Sequence, residues 1–150
     1  MKKAPLPIIG WREWIDFPEL NIFRTKAKID TGARSSSLHA FNIHPFQREG
    51  KEFIQFRVHP YQRNSRITVQ AEAKILDWRH VTSSGGHSQL RPVIVTPICL
   101  DGQTWSIELT LTNRDVMGFR LLLGREALRK RFLVNPGRSF LLSDKIQVTV

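Results

Sequence analysis

The chain of 150 residues is 41% hydrophobic and 24% charged. That suits one soluble globular domain over residues 1–150, burying roughly 70% of its unfolded surface, and argues against wholesale disorder, collagen-like repeats or a coiled coil. Its 23 basic and 13 acidic residues leave a formal charge of +10, a field that attracts nucleic acid, anionic lipid or an acidic peptide, while the single cysteine, Cys99, excludes an intrachain disulfide.

From the start, the apolar stretch Leu6 to Ile9 is interrupted by Pro7 and meets Trp11-Arg12-Glu13, too soon for a secretion signal or a membrane span. The reading is a cytoplasmic protein with no membrane attachment. Phe23, Thr25, Ala27 and Ile29 alternate with Arg24, Lys26 and Lys28, the period of a half-buried strand. Phe41 to Ser65, with His44-Pro45, His59-Pro60 and one plausible strand at Phe53 to Val58, reads as a surface excursion. Ile67, Val69, Ala71, Ala73 and Ile75 alternate again, and Ser83-Ser84-Gly85-Gly86 then makes a mobile loop tip before the strand from Pro92. Asp101-Gly102 suits a type I′ hairpin turn between Val93–Ile98 and Thr104–Ile107, and Ile107, Leu109 and Leu111 continue the second strand. An apolar strand from Phe119 ends at Gly124, and Arg125 to Phe132 is the one good helical run, stopped before Asn135-Pro136-Gly137. Ser139 to Val150 suggests a short strand pair with Ile146, Val148 and Val150 alternating. The class is all-β, a small closed barrel or sandwich with one short C-terminal helix.

Several chemistries lack their residues. The five histidines form no HExxH pair and one cysteine cannot build a cysteine zinc site, so no metal is expected. No phosphate-cradling P-loop motif occurs, so no nucleotide or other cofactor is expected. The Ser35-Ser36-Ser37 run lacks the Gly-x-Ser-x-Gly turn that would expose a serine nucleophile.

What remains is Lys28-Ile29-Asp30-Thr31-Gly32-Ala33, a strand that delivers a carboxylate into a Thr-Gly turn, and later Leu122-Leu123-Gly124-Arg125, an apolar strand entering a helix. With Ser84-Gly85-Gly86 between them as a candidate flap tip, the order resembles the retropepsin-like aspartic peptidases. The stretches Ile9-Gly10-Trp11-Arg12-Glu13-Trp14, Lys26 to Arg34, Leu111 to Asp115 and Leu122 to Leu128 resemble a bacterial stand-alone group often labelled ATP-dependent zinc proteases. That label finds no zinc ligands or nucleotide loop here.

The resemblance implies a closed barrel and a peptidase with two aspartates sharing a proton around a water. Asp16, Asp77, Asp101, Asp115 and Asp144 all lack the Thr/Ser-Gly that follows Asp30, so the implied enzyme is a homodimer with Asp30 from each copy. Thr31 would lock the two turns together and Gly32 would let its backbone approach the carboxylate. Ala33, Arg34, Ser84, Gly85, Gly86 and Arg125 would contact substrate. Retropepsins often carry an aspartate where this chain has Arg34, so an expected ion pair with Arg125 is missing. Arg34 and Arg125, with Arg79, Arg91 and Arg114, would instead suit an acidic peptide or protein, and the bacterial group implies trimming of glutamate-rich extensions. A competing reading is a non-catalytic basic module for RNA, ribosomes or another polyanion, using Lys2-Lys3, Arg129-Lys130-Arg131 and the residues from Phe41 to Arg66.

Overall fold

Alternating apolar residues turn one face of each strand inward. The computed structural model describes residues 5–61, 64–82, 85–114 and 118–143 and builds most of them into such strands. In chain order these are β1 (Ile8–Gly10), β2 (Arg12–Phe17), β3 (Ile22–Asp30), β4 (Ser36–His39), β5 (Phe41–Arg48), β6 (Lys51–Val58), β7 (Val69–Thr82), β8 (Ser88–Leu100), β9 (Gln103–Thr112), β10 (Leu121–Gly124) and β11 (Leu133–Asn135). A helix, α1 (Arg125–Leu128), sits between the last two.

Six strands pair in the order β2-β3-β10-β4-β9-β8, and β8 returns to β2 at Asp16 and Cys99, closing a barrel. Closure removes the free edges of this ring. Its interior is filled by Ile15, Phe17, Ile22, Ala27, Leu38, Ile94, Ile98, Leu109, Leu111, Leu121 and Leu123. Strands β7, β6 and β5 continue outward from β8, and β1 and β11 form a separate parallel ribbon.

The Asp101-Gly102 hairpin forms as expected, with φ of 51° and 77° at its two turn residues and Leu100 paired to Gln103. The alternation from Val69 to Ile75 also holds, with Ala71 and Ile75 buried and Gln70, Glu72 and Lys74 exposed. In β3 the phase slips once. Phe23 is 46% exposed while Ile22 is buried, because Ile15 pairs with Thr25 but Phe17 pairs with Ile22. The extra residue is absorbed at Arg24, whose φ is 56° and whose N–H donates to Asp16 Oδ1 at 2.7 Å.

Three expectations are corrected. The Phe41 to Ser65 surface excursion holds two strands rather than one. It contains the β5–β6 hairpin, turned at Glu49-Gly50 with φ of 51° and 74°, and Pro45 is tolerated because β5 is the outer edge of the sheet. The helix stops at Leu128 rather than Phe132. Arg129 is extended and Lys130 has φ of 65°, and this reversal folds Phe132 back onto Trp105, whose Nε1 donates to the Ala127 carbonyl at 3.0 Å. Finally, Ser139 to Ser143 is a succession of turns rather than a strand; Ile146, Val148 and Val150 lie outside the described residues.

Those turns are held by Glu13, a fully buried carboxylate in β2. Its Oε2 accepts the N–H groups of Gly10 (2.7 Å) and Leu141 (2.8 Å). Its Oε1 accepts the N–H groups of Leu142 (3.3 Å) and Ser143 (3.0 Å) and the Ser143 hydroxyl (2.6 Å). A buried carboxylate is expensive unless its lone pairs are filled, and here five donors fill them.

Candidate active site

Asp30 is the last residue of β3, and the chain turns immediately after it. Its Oδ1 accepts the Gly32 N–H at 3.0 Å, the Asx-type bond that makes a Thr-Gly turn after an aspartate compact. A methyl group on Gly32 would stand 3.3 Å from that same oxygen. Thr31 and Gly32 are both exposed at the crest of the turn.

The second motif supports the first from behind. Strand β10 runs parallel to β3 on one side and antiparallel to β4 on the other, which sets Gly124 beside Asp30 in register. The Gly124 N–H donates to Ser36 Oγ at 3.1 Å, the Arg125 N–H to the Ala33 carbonyl at 2.8 Å and the Glu126 N–H to the Arg34 carbonyl at 3.2 Å. The segment after Asp30 is thus stitched to the start of α1. Gly124 is required by proximity, since a Cβ there would lie 2.5 Å from the Ser35 carbonyl oxygen. Arg125 Nη1 donates to the Gly32 carbonyl at 3.2 Å, so the guanidinium that lacks an aspartate at position 34 braces the turn through its backbone instead.

The serine run has internal duties. Ser36 holds Gly124, and Ser37 Oγ shares a hydrogen bond of 2.9 Å with Thr110 Oγ1 across β4 and β9.

Asp30 opens into a cleft of about 1530 Å³. Gly32, Ala33, Arg34 and Arg125 line it with Asp30. All five arginines picked out for acidic recognition, Arg34, Arg79, Arg91, Arg114 and Arg125, are in its walls, joined by Lys28 and Arg131. Among the described residues, Asp30, Glu108 and Glu126 are the acids that oppose them there. The sequence assigns Lys28 no role beyond the motif and Arg131 to a polyanion-binding run, and places neither in this cleft. The signal for Lys28 was its place two residues before Asp30, on the same side of an alternating strand.

The flap-like part of the cleft is the β7–β8 hairpin. Arg79, His80, Val81 and Thr82 line the cleft as the strand approaches the turn. Gly85 and Gly86 sit beyond it, between the paired residues Thr82 and Ser88, with Gly86 at φ of 83°; Ser84 lies outside the described residues. Arg79 donates to Asp77 Oδ2 at 3.2 Å and to Glu108 Oε1, and these bonds, the one to Glu108 first, raise its pKa above the ordinary arginine range. Among the described residues, no group of three or more His, Cys, Asp or Glu is arranged to hold a metal, and no helix is long and apolar enough to cross a membrane.

A family model described as "Retropepsin-like aspartic endopeptidase RimB" matches residues 8–145. The chain belongs to this RimB-like family. A crystal structure of a Legionella pneumophila protein of unknown function superposes with a TM-score of 0.72 at 30% identity, covering 90% of this chain and 97% of that one. Proteins named "Probable alpha-L-glutamate ligase" are also similar. The one from Shewanella pealeana is 50% identical over 138 residues, 92% of this chain and 30% of its own length. The one from Desulfotalea psychrophila is 47% identical over 137 residues, 91% of this chain and 30% of its own length. The chain therefore spans less than a third of the curated relatives it matches.

Proposed function

We propose that this RimB-like chain is an aspartic endopeptidase that works as a homodimer and hydrolyses peptide bonds in acidic, glutamate-rich protein extensions. The observation that carries the reading is that Asp30, on its compact Thr-Gly turn, opens into a cleft walled by six arginines and a lysine. One carboxylate per chain is half of an aspartic dyad, and Thr31, exposed at the crest of the turn, is free to meet its own copy across a two-fold axis. Two carboxylates that close cannot both ionise, so one keeps a proton. The ionised member takes a proton from the attacking water while the protonated member donates to the scissile carbonyl oxygen, giving a tetrahedral intermediate. The arginines supply an attractive field for an anionic peptide. The similar proteins named as probable glutamate ligases join a region like this one to a much longer chain, which fits a substrate made of linked glutamates.

Incubating the protein with a glutamate-rich peptide and following products by mass spectrometry tests the activity. Asp30→Asn should abolish hydrolysis while its melting temperature stays level or rises. Turnover retained in that variant refutes the peptidase, and a monomer at assay concentration in analytical ultracentrifugation refutes the dimer. Salt-sensitive RNA binding indifferent to Asp30→Asn, with no hydrolysis, would instead favour a polyanion-binding module in the cytoplasm.

A further inference from the structure

Like charges placed directly opposite on one face of an antiparallel pair repel. Arg79 of β7 stands opposite Arg91 of β8. Arg79 is relieved by Asp77 and Glu108. Arg91 is not. It is only 7% exposed, and it donates through Nε to Gln89 Oε1 at 2.9 Å and through Nη1 to Ser37 Oγ at 3.1 Å, both uncharged acceptors. No ion pair joins it to a carboxylate among the described residues. Its burial, and then the neighbouring Arg114 guanidinium, lower its pKa from the usual arginine value.

A buried cation without a counter-ion weakens a fold. This one is nonetheless held firmly. Ser37 Oγ bonds to Thr110 Oγ1 at 2.9 Å, and Thr110 Oγ1 donates to the Ser36 carbonyl at 3.2 Å. On the other side Gln89 Oε1 also accepts the Thr112 hydroxyl at 2.9 Å, and Thr112 Oγ1 accepts the Arg114 N–H at 3.1 Å. A network of neutral groups on β4, β8 and β9 therefore orients the guanidinium, which lines the same cleft as Asp30. Two of its five N–H donors are committed to that network.

We propose that Arg91 is the specificity-determining residue of the cleft, receiving a side-chain carboxylate of the bound peptide on its remaining N–H donors. The other arginines contribute field but less discrimination: Arg34, Arg114, Arg125 and Arg131 are exposed, so water screens them, and Arg79 is already neutralised by two carboxylates. Desolvation makes the Arg91 site selective, because an uncharged glutamine side chain would leave the buried cation unneutralised. The inference rests on the peptidase reading of this cleft and deepens it by naming the residue that reads charge.

Binding measured in the Asp30→Asn background separates recognition from catalysis. Fluorescein-labelled pentaglutamate and pentaglutamine are titrated by anisotropy at physiological salt. The Asp30→Asn protein should prefer pentaglutamate. Adding Arg91→Gln should weaken pentaglutamate binding by about ten- to a hundredfold, the loss expected for a charge-assisted hydrogen-bonded pair, and leave pentaglutamine within about twofold. Arg91→Lys, which keeps the charge without the planar fork, should recover only part of the affinity. Undiminished pentaglutamate binding by folded Asp30→Asn/Arg91→Gln overturns the proposal. Should the double variant unfold, the arginine side-chain NMR signals of the Asp30→Asn protein decide: an Arg91 Nε–H resonance that shifts with pentaglutamate supports the assignment, and one that stays fixed overturns it. Absence of hydrolysis by the unsubstituted protein would defeat the peptidase reading without altering this binding result.

Discussion

Gly124→Ala probes the contact on which the candidate site depends. The added Cβ would lie 2.5 Å from the Ser35 carbonyl oxygen and 2.7 Å from that of Arg34. Ordinary contact begins near 3.4 Å, so the Ser35 oxygen must retreat by about 0.9 Å. Both obstacles are backbone, so no side-chain rotation relieves them. The same segment is tied to β10 and α1 through the bonds of Ala33, Arg34 and Ser36, so displacing it disturbs the turn that begins at Asp30. Overpacking of this kind costs about 1–3 kcal/mol, and the backbone clash places this case at the upper end. For a chain of this size that corresponds to a fall of roughly 6–12 °C in melting temperature. Movement of a reacting group by about 1 Å costs on the order of a hundredfold in rate. Differential scanning fluorimetry and a discontinuous peptide-hydrolysis assay measure the two effects. A Gly124→Ala protein that melts with the unsubstituted one and hydrolyses at the same rate would refute the claim that this approach holds the Asp30 turn in place.

Gly32→Ala should behave differently, because its Cβ meets only the Asp30 carboxylate oxygen, at 3.3 Å. Stability should change by less than about 0.5 kcal/mol, while turnover falls roughly tenfold as the carboxylate is nudged aside; equal losses of stability and rate would contradict this. Glu13→Ala should strand the donors that its carboxylate satisfies and cost about 3–5 kcal/mol, read by urea denaturation. Hydrogen exchange in that variant should accelerate at Leu141, Leu142 and Ser143, and unchanged protection there would show that Glu13 is not what holds the segment.

The same contrast between local and distant causes explains what was legible in the sequence. Alternation identified the strands around Ala27, Ala71 and Leu109 because a pleated chain sorts its side chains over two or three residues. The turn chemistry of Asp101-Gly102 and of Asp30-Thr31-Gly32 was readable for the same reason. Phe23 breaks the alternation because an αL residue at Arg24 shifts the phase, and only pairing with β2 shows the need for that bulge. The β5–β6 hairpin is not legible in the sequence because Pro45 argues against a strand unless that strand lies at a sheet edge.

What the residues determined by themselves was therefore the β class, the charge and the carboxylate turn, while the pairing of that turn with Gly124 was implied by the family resemblance. Tertiary structure alone decided that β10 slips between β3 and β4, that Glu13 gathers a segment more than a hundred residues away, and that Arg91 rather than another arginine is stripped of water. Strand faces follow from steric preferences between chain neighbours, whereas desolvation and register depend on which distant segments come to lie against them, and no local pattern encodes that choice.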